Sequence, residues 1–220
     1  MRRDSMFRDR IEAGEVLAKA LARYRGRDTL VLGIPRGGVV VAAEIARQLE
    51  AELDVVVARK LGAPGQPELA IGAVTAEGGR VLNEEMISGL HVADSYLEAV
   101  TRVQMAEARH RQTWLRNLRP AAAIAGRTVI VVDDGLATGA TIQAAARAVG
   151  QHAPAHLIAA VPVGTRDACE ALANEVDEVV CPLQPEPFGA VGLHYEHFEQ
   201  VEDEQVRDLL EATRSAPVGQ

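Results

Sequence analysis

Chemistry is most concentrated in one stretch of this 220-residue chain, VIVVDDGLATGAT from Val129 to Thr141, where two adjacent carboxylates, Asp133 and Asp134, precede a loop of Gly and Thr. Gly135 and Gly139 permit backbone angles that other residues resist, so several N–H groups can turn toward one point. A helix starting directly afterwards adds its own unpaired N–H groups and the positive end of its dipole, which makes a cradle for a phosphate dianion. The hydroxyls of Thr138 and Thr141 can donate further hydrogen bonds. The two acids would repel a phosphate, so they suit sugar hydroxyls or a metal ion nearby. A sugar with a 5′-phosphate and free 2′- and 3′-hydroxyls satisfies both halves.

A second anion loop is written at Gly33 to Gly38, GIPRGG. Pro35 stiffens the turn, Gly37 and Gly38 let the backbone approach a ligand, and the Arg36 guanidinium stands beside the open N–H groups. Farther on, Asp54 to Ala58 (DVVVA) reads as a buried strand ending in Arg59 and Lys60. Charges at the carboxyl end of such a strand lie where open α/β sheets bind ligands.

The elements that must position these residues follow from periodicity. Val129 to Val132 is a short β-branched run suited to a parallel strand buried on both faces, and Ile142 to Val149 reads as the helix after it. Phe7 to Leu21 carries a helical stripe. Thr29 to Ile34, a helix from about Val39 to Leu49, and Asp54 to Ala58 make a right-handed β-α-β unit. Leu61 to Leu69, with two Gly and two Pro, reads as loop, and Ala70 to Thr75 with Gly79 to Leu82 as a hairpin. Asn83 to Arg119 reads as mostly one long helix, roughly Ala93 to Leu118; its cluster Arg109, His110, Arg111 could face the substrate or a partner subunit, but is most simply an exposed charged face. Ala155 to Val161, a short helix Ala168 to Ala173 with Thr165 or Asp167 as cap, and Asp177 to Cys181 complete the alternation. The fold class expected is α/β, a parallel sheet of about five strands with helices on both faces. Residues 1–181 form the core with the inserted helix at about 93–118, and residues 182–220 a C-terminal appendage ending in a helix.

The central stretch resembles the phosphoribosyl-diphosphate (PRPP) motif of the type I phosphoribosyltransferases: four apolar residues, two acids, then Gly-x-x-Thr-Gly-x-Thr. By that resemblance Asp133 and Asp134 hold the ribose hydroxyls, and Ala137, Thr138, Gly139, Ala140 and Thr141 the 5′-phosphate. Arg36, Gly37, Gly38, Arg59 and Lys60 take the pyrophosphate, with Arg36 and Lys60 joining the acids in catalysis. Mg²⁺ arrives with PRPP, near Asp133 and Asp134, with no direct protein cage. The hairpin is the family's flap, and Glu68 a ligand contact within it. The tail from Pro182 to Gln200 is its hood, with Phe188, or else Tyr195, stacking on the base. Members acting on hypoxanthine and guanine carry Asp where this chain has Ala137, so the acceptor stays open. The implied reaction moves phosphoribose from PRPP to a nucleobase-like acceptor with release of pyrophosphate, and a homodimer is expected. The alternative on the same fold is a non-catalytic sensor of PRPP or nucleotides.

Composition narrows the classes. Hydrophobic content of 48% suffices for a core, and only 3% aromatics leaves Val, Leu, Ile and Ala to build it. A net charge of −8 argues against nucleic-acid binding driven by phosphate contacts. Acids from Glu196 to Glu211 read as a solvated face. No apolar run reaches membrane-spanning length, the charged start MRRDSMFRDR does not read as a secretory signal, and Cys169 and Cys181 read as reduced core thiols. A cytoplasmic protein is expected. His194 and His197, lacking a third ligand, read as surface or hydrogen-bonded residues. No Gly-x-x-x-x-Gly-Lys-Ser/Thr is present, which speaks against a P-loop NTPase.

Overall fold

The computed structural model describes residues 6–117 and 119–215, and of Glu68, Arg214 and Ser215 the backbone alone. The expected Glu68 contact and the helix end at Leu118 therefore lie outside the described residues. The strands β1 (Thr29–Gly33), β2 (Glu52–Val55), β6 (Thr128–Val132), β7 (His156–Ala160) and β8 (Glu178–Val180) form a five-stranded parallel sheet in the order β2-β1-β6-β7-β8. The strands β3 (Ala58–Ala63), β4 (Gln66–Thr75) and β5 (Arg80–Leu82) form a separate antiparallel sheet. The helices are α1 (Arg10–Ala20), α2 (Gly37–Leu49), α3 (Glu84–Gly89), α4 (Asp94–Leu115), α5 (Ala140–Gly150), α6 (Arg166–Leu172) and α7 (Asp203–Ser215). Among the described residues no helix is long and apolar enough to cross a membrane.

Strand alternation sorts the central residues to two faces. Ile130 and Val132 of β6 join Val31, Leu53 and Ile158 in a core with Leu17 of α1, Ile45 of α2, and Val206 and Leu210 of α7. Val129 and Val131 join Leu30, Leu32 and Ala159 in a second core with Ile142 and Val149 of α5 and Leu172 of α6. Both faces are covered, as a parallel sheet requires. The crossover through α2 leads from β1 outward to β2, and the one through α5 leads from β6 outward to β7. The strand order therefore reverses between β1 and β6, and a crevice opens at their carboxyl ends.

Two expectations change. The stretch Leu61 to Leu69 is not loop: it forms the end of β3, a turn at Pro64 and Gly65 (φ 71°), and the start of β4. Its register shifts beside Gly62, where a Cβ would stand 2.6 Å from the Pro67 carbonyl oxygen, so Gly and Pro here mark an irregularity in a hairpin. The buried strand stops at Val55, and Arg59 and Lys60 lie within β3 instead of ending β2. The inserted helix expected at about 93–118 is α4, Asp94–Leu115; the short α3 precedes it, capped by Asn83 accepting from the Met86 N–H at 3.0 Å, and the chain turns at His91 (φ 53°) between the two. The acids from Glu196 to Glu211 are mostly exposed, as expected of a solvated face, while α7 buries Val206 and Leu210 on its other side.

The hairpin is seated rather than free at its base. Gly79 lies so close to α5 that a Cβ would stand 2.6 Å from the Ala144 carbonyl oxygen. Leu61, Ile71 and Val74 pack with Val92 and Leu97 into a third core. Helix α4 is latched to the main sheet at its other end. Arg116 Nε donates to both carboxylate oxygens of buried Asp54, at 2.9 and 3.1 Å, and Gln112 accepts from the Val57 N–H at 3.0 Å.

Candidate active site

The expected anion loop sits at the switch point. Residues Val129–Val132 run buried between β1 and β7, and the loop after them is pinned from the side. The Leu136 N–H donates to the Val163 carbonyl at 2.8 Å, and the Thr165 hydroxyl donates to the Ala137 carbonyl at 3.0 Å. Gly139 precedes α5 with φ 83°, a conformation that suits glycine, and no side chain caps the helix. Ala137 and Thr138 are exposed. The first-turn N–H groups of α5 thus face outward beside Thr138 and Thr141, the arrangement that receives an anion.

The two acids have different surroundings. One Asp133 oxygen accepts the Asp134 N–H at 2.9 Å. Burial, together with the neighbouring Asp134 charge, holds the Asp133 carboxyl well above the usual carboxylate range, opposed by that N–H and by Arg10. Asp134 is ion-paired with Arg10, Nε to Oδ2 2.8 Å, with both side chains largely buried. The Tyr195 hydroxyl donates to the Asp134 carbonyl at 2.6 Å. Arg10 is absent from the sequence reading. Its only signal is a place in the charged N-terminal run, and nothing local ties it to a partner 124 residues away.

The second loop packs directly against the acids. The peptide between Pro35 and Arg36 is cis. A Cβ on Gly37 would stand 1.8 Å from Asp134 Oδ2, and one on Gly38 2.7 Å from the Val132 carbonyl oxygen. Both glycines are therefore demanded by contact with the acidic motif itself, a reason distinct from room for a ligand. Arg36 opens onto two adjoining cavities of ≈ 500 and ≈ 420 Å³ that share Arg36, Arg59, Arg111 and Asp203 as walls. Arg59 Nε also donates to Gln104 at 2.9 Å. Lys60, next along an extended strand, points to the other side of the hairpin and is exposed.

Two features read as solvated faces also line this cleft, with most of their charged side chains exposed. From α4, Arg111 and His110 face into it beside Trp114, while Arg109 donates to the Ala76 carbonyl at 2.8 Å. From the segment leading into α7, Glu202 stands 3.7 Å from Arg36, and Asp203 is paired with Arg111. Opposite charges from distant segments meet here, a pairing that neither cluster announces when seen alone.

The aromatic candidates separate. Phe188 is half-buried, 5.1 Å from the His194 ring, whose Nε2 donates to the Phe188 carbonyl at 2.8 Å. Tyr195 is buried, with Phe7 at 5.6 Å and Phe198 stacked at 4.9 Å, which leaves its ring no room against a base. The Phe7 contact belongs to a strip in which residues 7 and 8 exchange backbone hydrogen bonds with 194, 196 and 197. His194 is buried and His197 exposed. Cys169 and Cys181 are free thiols, both pushed up by burial. Among the described residues no group of three or more His, Cys, Asp and Glu is arranged to hold a metal ion.

A family model described as "Phosphoribosyl transferase domain" matches residues 8–196, from the start of that strip through the loops to the tail beyond Tyr195. Two proteins of Mycobacterium tuberculosis, MT0597 of strain CDC 1551 / Oshkosh and Rv0571c of strain H37Rv, are provisionally named phosphoribosyl transferases. Each is 44% identical over 206 residues, covering 94% of this chain and 46% of its own length. The chain thus spans about half the length of the curated relatives it matches. The crystal structure of TT1426 from Thermus thermophilus shares 49% identity with a TM-score of 0.78, covering 93% of this chain and 97% of that one. With both loops inside the matched region, the chain belongs to the phosphoribosyl transferase domain family.

Proposed function

We propose that the protein transfers phosphoribose from PRPP to a ring nitrogen of a nucleobase-like acceptor and releases pyrophosphate. The observation that carries this reading is the pairing at the β1/β6 switch point: an uncapped helix end after Asp133 and Asp134 on one side, and the Arg36–Gly38 loop on the other. PRPP has a phosphate, a sugar and a pyrophosphate in that order.

The N–H groups of Ala137 to Thr141 and the Thr hydroxyls bind the 5′-phosphate. The acids fix the ribose and lie near the positive charge that develops on its ring as the bond from C1′ breaks. Arg36, Gly37 and Gly38 receive the leaving pyrophosphate, with Arg59 lining the same cleft. Lys60, on the opposite side of the same strand, is the remaining candidate for the pyrophosphate. Phe188, half-buried at the tail, is the candidate to stack on the acceptor, and Tyr195 instead positions Asp134. Asp133 and Asp134 offer hard carboxylate oxygens that fit Mg²⁺, an ion that keeps substrate oxygens and waters around it. When bound, it neutralises pyrophosphate charge. Free thiols suit a reducing cytoplasm.

One observation favours a sensor as the second reading: Arg36 and Arg111 are engaged by Glu202 and Asp203, so an anion entering the cleft would release the start of α7. Pyrophosphate release from PRPP, assayed across a panel of nucleobases, separates the two. Base-dependent release supports the transferase and names its acceptor class. PRPP binding with no release for any base favours the sensor.

A further inference from the structure

Arg10 makes contacts that nothing in the reaction scheme above uses. Its Nε donates to Asp134 Oδ2 at 2.8 Å, its Nη1 donates to the Glu199 carbonyl at 2.9 Å, and its guanidinium carbon lies 3.9 Å over the Phe198 ring. The side chain is 11% exposed. A Cβ on Gly37 would stand 1.8 Å from Asp134 Oδ2 and 2.7 Å from Arg10 Nε, so the ion pair lies directly against the first residue of the α2 helix, in the pyrophosphate loop. One guanidinium therefore touches the acidic motif, the start of α2 and the tail at once.

We infer that Arg10 is a positioning residue of the active site: its planar fork holds the Asp134 carboxylate against the Arg36–Gly38 loop and ties that arrangement to the tail at Phe198 and Glu199. This rests on the reading of Asp133 to Thr141 as a PRPP site. The physical need is plain. Two adjacent carboxylates beside a loop that takes a polyanion would repel it, and an unheld Asp134 would turn away from the arrangement seen here. Arg10 neutralises one acid and fixes its direction. Only a fork can bond carboxylate and carbonyl together while lying flat on an aromatic ring; an ammonium is a point charge.

The test keeps the charge and removes the fork. PRPP affinity is measured by titration calorimetry with Mg²⁺ on the full chain, as wild type, Arg10→Lys, Asp134→Asn and the double variant. Arg10→Lys is expected to weaken binding about tenfold in the wild-type background and less than about twofold once Asp134 is Asn, because the group it positions is then gone. An effect of charge alone leaves Arg10→Lys at wild-type affinity, and a general packing defect costs the same in both backgrounds; either result overturns the inference. Phe198→Leu, which removes the stacking face at a partly exposed position, is expected to lose about threefold, and unchanged affinity there counts against it too. Wild-type protein that binds no PRPP overturns the reading beneath, and the inference falls with it; wild-type binding with an unaffected Arg10→Lys overturns the inference alone.

Discussion

At the scale of single residues, the site is held by close approaches that tolerate no added atom. Gly38 is the sharpest case, since a Cβ there meets the Val132 carbonyl oxygen at 2.7 Å and Asp133 Cα at 2.9 Å, both backbone of the central motif. Gly38→Ala is expected to cost about 2 kcal/mol in urea denaturation, and an unchanged midpoint would contradict the packing described. Asp133 makes the opposite prediction. Its folded-state pKa is raised, so unfolding releases a proton and stability falls as pH rises above the ordinary value of 3.8. Asp133→Asn keeps an oxygen for the Asp134 N–H, so in metal-free buffer it is expected to melt higher than wild type at pH 7, with the gain shrinking as pH approaches 3.8. Equal melting at pH 7 would count against a strained carboxylate. The acidic pair and the Thr-Gly-x-Thr loop were legible because all their chemistry is contiguous. Arg10 and Tyr195 were not, because each reaches Asp134 from a distant segment and carries no local pattern.

At the scale of elements, α4 and α7 build one wall of the cleft with charged side chains that stay largely exposed, in keeping with the sequence reading. Arg116 anchors α4 through Asp54, which is 1% exposed as a side chain. Arg116→Met leaves that carboxylate buried without its cation and is expected to cost about 3–5 kcal/mol, read by chemical denaturation. A loss below about 1 kcal/mol would mean that the pair does not hold the helix. The acidic lead-in to α7 acts on the ligand instead. Replacing Glu202 with Gln and Asp203 with Asn frees Arg36 and Arg111, so inorganic pyrophosphate should bind about fivefold more tightly at low salt, with the difference fading as salt is added. Weaker binding would show that these carboxylates are not competitors. Helix and strand identities were readable where period and turn chemistry agreed, as in β6 and α5. The reading failed at Leu61–Leu69, where Gly and Pro belong to an irregular hairpin, and it could not pair Arg111 with Asp203, which lie far apart in sequence.

At the scale of the whole molecule, strand order does the positioning. Alternating strands and helices announced a parallel sheet, and the order β2-β1-β6-β7-β8 puts the two anion loops on neighbouring strands that lead outward in opposite directions. No sequence pattern specifies that order, yet it alone joins residues 35–38 to residues 133–141 in one crevice. The tail then closes over the acids through a strip paired with residues 7 and 8, so both ends of the described chain bear on one site. The most direct test of this account is titration calorimetry with PRPP and Mg²⁺ on wild type and on the Asp133→Asn, Asp134→Asn double variant. The account predicts binding by the wild type and a loss of at least about tenfold in the double variant. Equal affinity in the two proteins, or no PRPP binding by the wild type, would contradict it.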